Sequence, residues 1–156
     1  MKTLIAAAHV SLSASAALAG PGEKGHSHAT FSAGEPGDSK KPARVVQVTM
    51  REDDGKMVFI PDQVEVRKGE QIRFVLRNNG ELTHEFMLAT IAENDKHAEL
   101  MKKYPDMEHD DPNGKTLETK KTSEIFWKFT KSGEFEFACL IPGHREAGMH
   151  GKVVVK

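Results

Sequence analysis

From Arg44 onward the chain is written in short runs in which every second residue is apolar. Val46, Val48 and Met50 alternate with polar neighbours, as do Val64 and Val66, then Ile72, Phe74 and Leu76. Ile125, Trp127 and Phe129 keep the same rhythm, then Phe135 and Phe137, and Val153 to Val155 closes the chain. Successive side chains of a strand point to opposite faces, so a period of two gives each strand one apolar face and one wet face. Such strands must stack their apolar faces on one another. Asp53-Asp54-Gly55, Lys68-Gly69, Asn78-Asn79-Gly80 and Ser132-Gly133 supply turn chemistry between them. The pattern predicts an all-β fold, an antiparallel sandwich or barrel, with Trp127 in its core.

One stretch breaks the rhythm. Ala92 to Lys103 has a helix-forming composition and stops before Tyr104-Pro105, where proline disfavours continuation. Pro105 to Gly114 then reads as a loop. The expected result is a short helical insertion between the strand that carries His84 and the strands that lead to Cys139.

The residues before Arg44 read differently. Lys2 is followed by a mostly apolar, small-residue run from Leu4 to Leu18, and Ala17-Leu18-Ala19 fits a cleavage site before Gly20. Residues 1–19 are therefore expected to be a secretory signal peptide. Their apolar run is short for a membrane span, and no later segment is long enough to be one. Gly20 to Pro42 is rich in Gly, Pro, Ser and Lys, with almost no large apolar residue. Residues 20–43 are expected to be a disordered tail, because so little apolar surface cannot offset the entropy of ordering. His26 and His28 sit in that tail, either as a loose metal-capturing pair or as solvated side chains. The folded domain is then 44–156. With 22 Lys and Arg against 23 Asp and Glu in 156 residues, the charge balance argues neither for nucleic acid nor for an anionic membrane surface.

Cys139 is the only cysteine, so no intrachain disulfide can form. In an exported protein a free thiol is a hazard unless it is buried or bonded. Its surroundings indicate bonding. The run Cys139-Leu-Ile-Pro-Gly-His144-Arg-Glu-Ala-Gly-Met149 places a thiol, an imidazole and a thioether on one short loop. These are three members of the ligand set of a mononuclear His2Cys copper site with a weak axial Met. The missing imidazole is well supplied by His84, which follows the turn Asn78-Asn79-Gly80. A soft thiolate bonds copper strongly, imidazole suits both Cu(II) and Cu(I), and a long thioether bond commits to neither geometry. Pro142-Gly143 turns the chain so that Cys139 and His144 can face one ion, and Pro142 withholds an N–H donor from the region of the sulfur. Taken singly, each residue has an ordinary alternative: an inert buried Cys139, a surface His84, a core Met149.

The motifs Phe59-x-Pro61-x-x-Val64-x-Val66-x-x-Gly69-Glu70 and Asn79-x-x-x-x-His84-Glu85-Phe86, the Cys139 loop, and Gly151-Lys152-Val153-Val154-Val155 resemble the cupredoxins. The resemblance runs from about Val45 to Lys156. The four-residue gap from Cys139 to His144 is similar to that of azurin, auracyanin and rusticyanin rather than plastocyanin. It implies a Greek-key β-sandwich and copper ligation by His84, Cys139, His144 and Met149. One position departs. Many cupredoxins carry Asn or Ser after the first His, where it helps tie the two ligand loops together; here the residue is Glu85.

The insertion resembles that of the periplasmic cupredoxins associated with bacterial copper tolerance, the CopI-like subgroup. His97-Ala-Glu-Leu-Met101 and Pro105-Asp-Met107-Glu-His109-Asp-Asp-Pro112-Asn113 carry that likeness. On a helix His97 and Met101 share a face, and Met107 with His109 can fold over it as a second, weaker site. Imidazole and thioether together suit Cu(I). The alternative has Met101 packing the helix on the sandwich and both His solvated. His150 either gates access to the first site or is plainly exposed.

The resemblance implies a periplasmic, monomeric copper protein acting in copper homeostasis and tolerance. The alternative is a one-electron carrier. Expected partners are copper ions and a periplasmic redox protein or a copper exporter, with no nucleic acid and no membrane insertion. Catalysis is not expected: an oxidase with a trinuclear centre needs His-x-His clusters that residues 44–156 lack, and a binuclear copper site needs a second Cys.

Overall fold

The computed structural model describes residues 31–156. The signal peptide read into residues 1–19, and His26 and His28, lie outside the described residues. The elements begin with β1 (Glu35–Pro36), β2 (Arg44–Asp53), β3 (Lys56–Ile60), β4 (Gln63–Val66), β5 (Gln71–Asn78) and β6 (His84–Ala89). The helix α1 (Ile91–Lys103) follows, then β7 (Asp110–Asp111), β8 (Gly114–Leu117), β9 (Thr122–Lys128), β10 (Gly133–Ala138) and β11 (His150–Val155).

They form two sheets, ordered β1-β9-β5-β2-β3 and β4-β11-β10-β6-β8-β7. The chain crosses between sheets after β3, β4, β5, β8 and β9, which is the Greek-key sandwich that the resemblance implies. Pairing is not wholly antiparallel: β2 runs parallel to β5, and β11 parallel to β4. The alternating residues meet between the sheets. Phe74, Phe86, Trp127, Phe129 and Phe137 are fully buried. Phe86 stacks on Phe137, their planes 16° apart, and Phe59 meets both rings edge-on. Each such ring contributes about 1.5–3 kcal/mol by leaving water.

β6 does not alternate; all its residues are buried. Its inner face lies in the sandwich core, while its outer face is covered by α1. Met87 of β6, Ala138 and Leu140 on or after β10, and Met101 of α1 form a second apolar cluster outside the sandwich. The helix starts on a capping box, in which the Thr90 side chain accepts from the Glu93 N–H and Glu93 answers at Thr90.

Two expectations are corrected. Asp110–Asp111 and Gly114–Leu117 pair as strands inside the segment read as a loop and just after it. Short, polar, largely one-sided, they extend the edge beyond β6 and carry no periodic apolar signal. The tail expected over 20–43 is ordered from residue 31. β1 pairs with β9, Phe31 meets Trp127 edge-on at 5.2 Å, and Trp127 Nε1–H donates to the Ala33 carbonyl at 3.2 Å. Gly34 lies so close to β9 that a Cβ there would stand 2.3 Å from the Lys128 carbonyl oxygen, and its φ is +140°. Composition missed this segment because it contributes one ring and backbone pairing rather than an apolar run.

Candidate metal centre

Three neighbouring strands bring the site together. β10 pairs with both β6 and β11. His84 opens β6, Cys139 follows the end of β10, and residues 139–149 connect β10 to β11. The turn before His84 is held from inside. The buried Asn78 side chain donates to the carbonyls of Leu82 (2.7 Å) and Leu117 (3.0 Å) and accepts the Gly80 N–H (2.9 Å). The loop after Cys139 is closed by its own backbone. Cys139 N–H donates to the Met149 carbonyl, Met149 N–H to His144, and His144 N–H to Ile141, each at 3.0 Å. Gly143 takes φ +88°, which the turn requires and a side chain would resist. Arg145, next to His144, donates to Glu136 of β10 and Asp95 of α1, so the loop is clamped to strand and helix.

The donor atoms converge. Cys139 Sγ lies 3.3 Å from His144 Nδ1, and His144 Nδ1 lies 3.3 Å from His84 Nδ1. One donor from each of the three residues falls within 4.8 Å of the others. Cys139 and His84 are fully buried and His144 is half-buried. Met149 is buried in the main core, its backbone hydrogen-bonded to both Cys139 and His144.

His84 is oriented from behind. Its Nε2 lies 2.8 Å from Glu52 Oε1. A carboxylate only accepts, so Nε2 carries the hydrogen and Nδ1 offers its lone pair to the site. This carboxylate–imidazole arrangement is how metal-binding histidines are commonly held. Burial pushes the Glu52 carboxyl up, but the backbone N–H groups of Glu81 and Leu82 and the neighbouring His84 outweigh it and hold it at about 2. Burial lowers the proton affinity of His84, against the pull of Glu52. It does the same to His144, helped by His84. Both rings are thus biased to the neutral form that binds metal. Burial pushes the Cys139 thiol up to about 12, so the sulfur stays protonated until a cation replaces the proton.

Glu85 does the work that Asn or Ser does in the resembling family. Its N–H donates to Cys139 Sγ at 3.3 Å. Its carboxylate accepts the Leu140 N–H at 3.3 Å and the Thr116 hydroxyl at 3.4 Å. One residue therefore ties β6 to the Cys139 loop through both main chain and side chain.

A thiol and two imidazole nitrogens converging in a buried pocket, with a buried thioether residue on the same loop, match the donor chemistry of copper. The model for copper binding proteins of the plastocyanin/azurin family matches residues 46–156. The chain belongs to that family. This cupredoxin is 50% identical over 123 residues to the copper-resistant cuproprotein CopI of Rubrivivax gelatinosus, covering 79% of this chain and 73% of that protein. It is 34% identical over 152 residues to the CopI of Pseudomonas aeruginosa, covering 79% and 82%. In fold it is similar to auracyanin B, with a TM-score of 0.62 at 20% identity, covering 79% of this chain and 96% of that one. Copper is its cofactor.

The cupredoxin's insertion holds the other residues singled out in the sequence. His97 and His109 meet, their Nε2 atoms 2.9 Å apart. Met101 is fully buried in the apolar cluster beneath α1, and Met107 packs against the same cluster. His150 is exposed at the start of β11. Sequence reasoning missed Glu52 and Asn78. Glu52 precedes an Asp-Asp-Gly turn and reads as one more surface acid; only the sandwich brings it to His84. Asn78 stands in the Asn-Asn-Gly turn already noted, but nothing local tells it from Asn79.

Proposed function

We propose that this cupredoxin is an exported, periplasmic protein whose mononuclear type 1 site, formed by His84, Cys139, His144 and an axial Met149, serves copper homeostasis and tolerance. The convergence of Cys139 Sγ with the Nδ1 atoms of His84 and His144 carries the reading. The copper resistance named for its relatives supports the role. Copper bound there supplies a one-electron couple held by a thiolate. The chain's own part is to keep both imidazoles neutral, hold the His84 tautomer through Glu52, seat the sulfur on the Glu85 N–H, and exclude water from Cys139. The partner that delivers or removes copper or electrons is a periplasmic redox protein or a copper exporter. Among the described residues no helix is long and apolar enough to cross a membrane.

The test is growth of cells lacking the gene on graded copper, with parent or Cys139→Ser restored. Copper sensitivity rescued by the parent and not by the Ser variant is expected; unchanged tolerance in the deletion overturns the role. In the purified protein, Cys139→Ser abolishes the intense visible band, which requires thiolate-to-copper charge transfer, and Met149→Leu keeps copper but shifts its potential.

The one-electron carrier is the second reading. It is favoured by the half-buried His144, which borders an open cleft shared with Leu82, Thr83, Met107 and Ile141, a route for electrons to a docked partner. Slow self-exchange, or loss of copper on reduction, would exclude it.

A further inference from the structure

Arg145 follows His144 on the loop between β10 and β11, and all three nitrogens of its guanidinium are engaged. Nε and Nη2 donate to Glu136 Oε1 at 3.2 and 2.9 Å, and Nη2 also reaches Oε2 at 2.9 Å. Nη1 donates to Asp95 Oδ1 of α1, 50 residues away in the chain, at 2.6 Å. Glu136 is buried on β10, in register between Ala89 of β6 and Lys152 of β11. Its Oε2 also accepts from the buried Asn94 side chain of α1 at 2.9 Å. Ligand loop, strand and insertion helix thus meet in one network. A planar guanidinium bonded on each nitrogen has a single orientation, which a point charge would not impose.

The two imidazoles of the metal centre are held differently. His84 has the Glu52 carboxylate behind its Nε2. The Nδ1 of His144 faces Cys139 and His84, and among the described residues no side chain hydrogen-bonds its Nε2. The ring is half-buried, so packing constrains it less than it does His84. Its direction therefore rests on its backbone. The bonds from His144 to Ile141 and from Met149 to His144 shape the loop from within. Two contacts tie the stretch from Gly143 to Gly148 to other elements. The Met57 N–H of β3 donates to the Ala147 carbonyl at 3.1 Å on one side, and Arg145 reaches β10 and α1 on the other.

We infer that Arg145 is a positioning residue for copper: through Glu136 and Asp95 it sets the direction from which His144 meets the ion. The insertion helix thereby braces the type 1 centre without supplying a ligand to it. The inference rests on the reading of His144 as a copper ligand. The competing account makes Arg145 only the counter-charge of a buried acid, since a buried carboxylate left unpaired is costly.

The test uses the full chain and two variants. Asp95→Ala removes the tether to the helix. Arg145→Met combined with Glu136→Gln removes both buried charges together, so that neither is left unpaired. Val66→Ala, a core truncation at the end of β4 that pairs with Val155, controls for lost stability. Amide hydrogen exchange is followed in the copper-free protein. Visible absorption, electron paramagnetic resonance and copper loss to a chelator are followed in the loaded one. In the double variant the amides of His144, Ala147 and Gly148 should exchange roughly tenfold faster, and copper should leave roughly tenfold faster. The thiolate band should persist at a shifted position, with an altered parallel hyperfine splitting. Asp95→Ala should move the same quantities in the same direction by less. Val66→Ala should lower the unfolding midpoint and leave the spectra and the rate of copper loss as they are. Values equal to the parent's in either test variant, or an equal shift in Val66→Ala, overturn the inference and leave Arg145 as a counter-charge. A parent without the thiolate band overturns the type 1 reading and this inference with it, whereas an intact parent band with unmoved variants overturns this inference alone.

Discussion

Glu52 Oε1 lies 2.8 Å from His84 Nε2, and the same carboxylate accepts the backbone N–H groups of Glu81 and Leu82. One acid on β2 thus orients a ring of the opposite sheet and anchors the turn that delivers it. Glu52→Gln loses the strong acceptor and frees the tautomer, while the core stays untouched. Copper affinity should fall roughly 10–100-fold, with the visible band kept at saturating copper. Competition against a chelator of known affinity measures it; an unchanged constant would reduce Glu52 to a turn anchor.

Glu85 places a buried carboxylate beside the Cys139 sulfur. Burial raises its proton affinity, opposed by His109. Glu85→Gln retains the main-chain N–H to the sulfur and an acceptor for Leu140, and removes only charge. Less negative charge near copper disfavours the more positive, oxidised ion, so the reduction potential should rise. Voltammetry of the copper-loaded pair checks this. No shift would show that the carboxyl is already neutral when copper is bound.

The ordered segment from Phe31 to Pro36 closes the Trp127 end of the sandwich. A chain starting at Arg44 loses the Phe31 ring contact, the β1 pairing and the acceptor for the buried Trp127 N–H. Compared with a chain starting at Phe31, it should be less stable by on the order of 2–4 kcal/mol. Urea unfolding followed by Trp127 fluorescence reads the difference directly.

The α1 cap makes stability depend on pH. Burial pushes the Glu93 carboxyl up, but hydrogen bonds from Ser32 and from the Thr90 N–H and hydroxyl outweigh it, so it lies below its ordinary 4.5. The folded chain therefore binds this proton less readily than the unfolded one. The contribution is full above about pH 4.5 and fades as pH falls below that value. Glu93→Gln should cost about 1 kcal/mol at pH 7, and the gap from the parent should narrow on acidification toward pH 3. Denaturant midpoints at several pH values decide it; a gap that widens in acid would contradict the cap.

The strands that alternate were legible because burial on one face writes a period of two, as in Ile72, Phe74 and Leu76. β6 was less so. Covered on both faces, it has no polar rhythm, and His84 and Glu85 interrupt the apolar run with side chains buried for chemistry rather than packing. β3 was missed because it is an edge strand whose Phe59 alone is buried.

By itself the sequence determined what is local: the alternation that demands a sandwich, the helix start and stop, and the Cys139–His144–Met149 loop whose residue types name copper. Tertiary structure decided what depends on the approach of elements far apart along the chain. It selected Glu52 among many surface acids, put Glu85 on the sulfur, set His97 against His109, and sent Met101 into the apolar cluster. The reason is range. Periodicity and loop chemistry act over a few residues, whereas these contacts join positions 12 to 54 residues apart and exist only once strand register has brought them together.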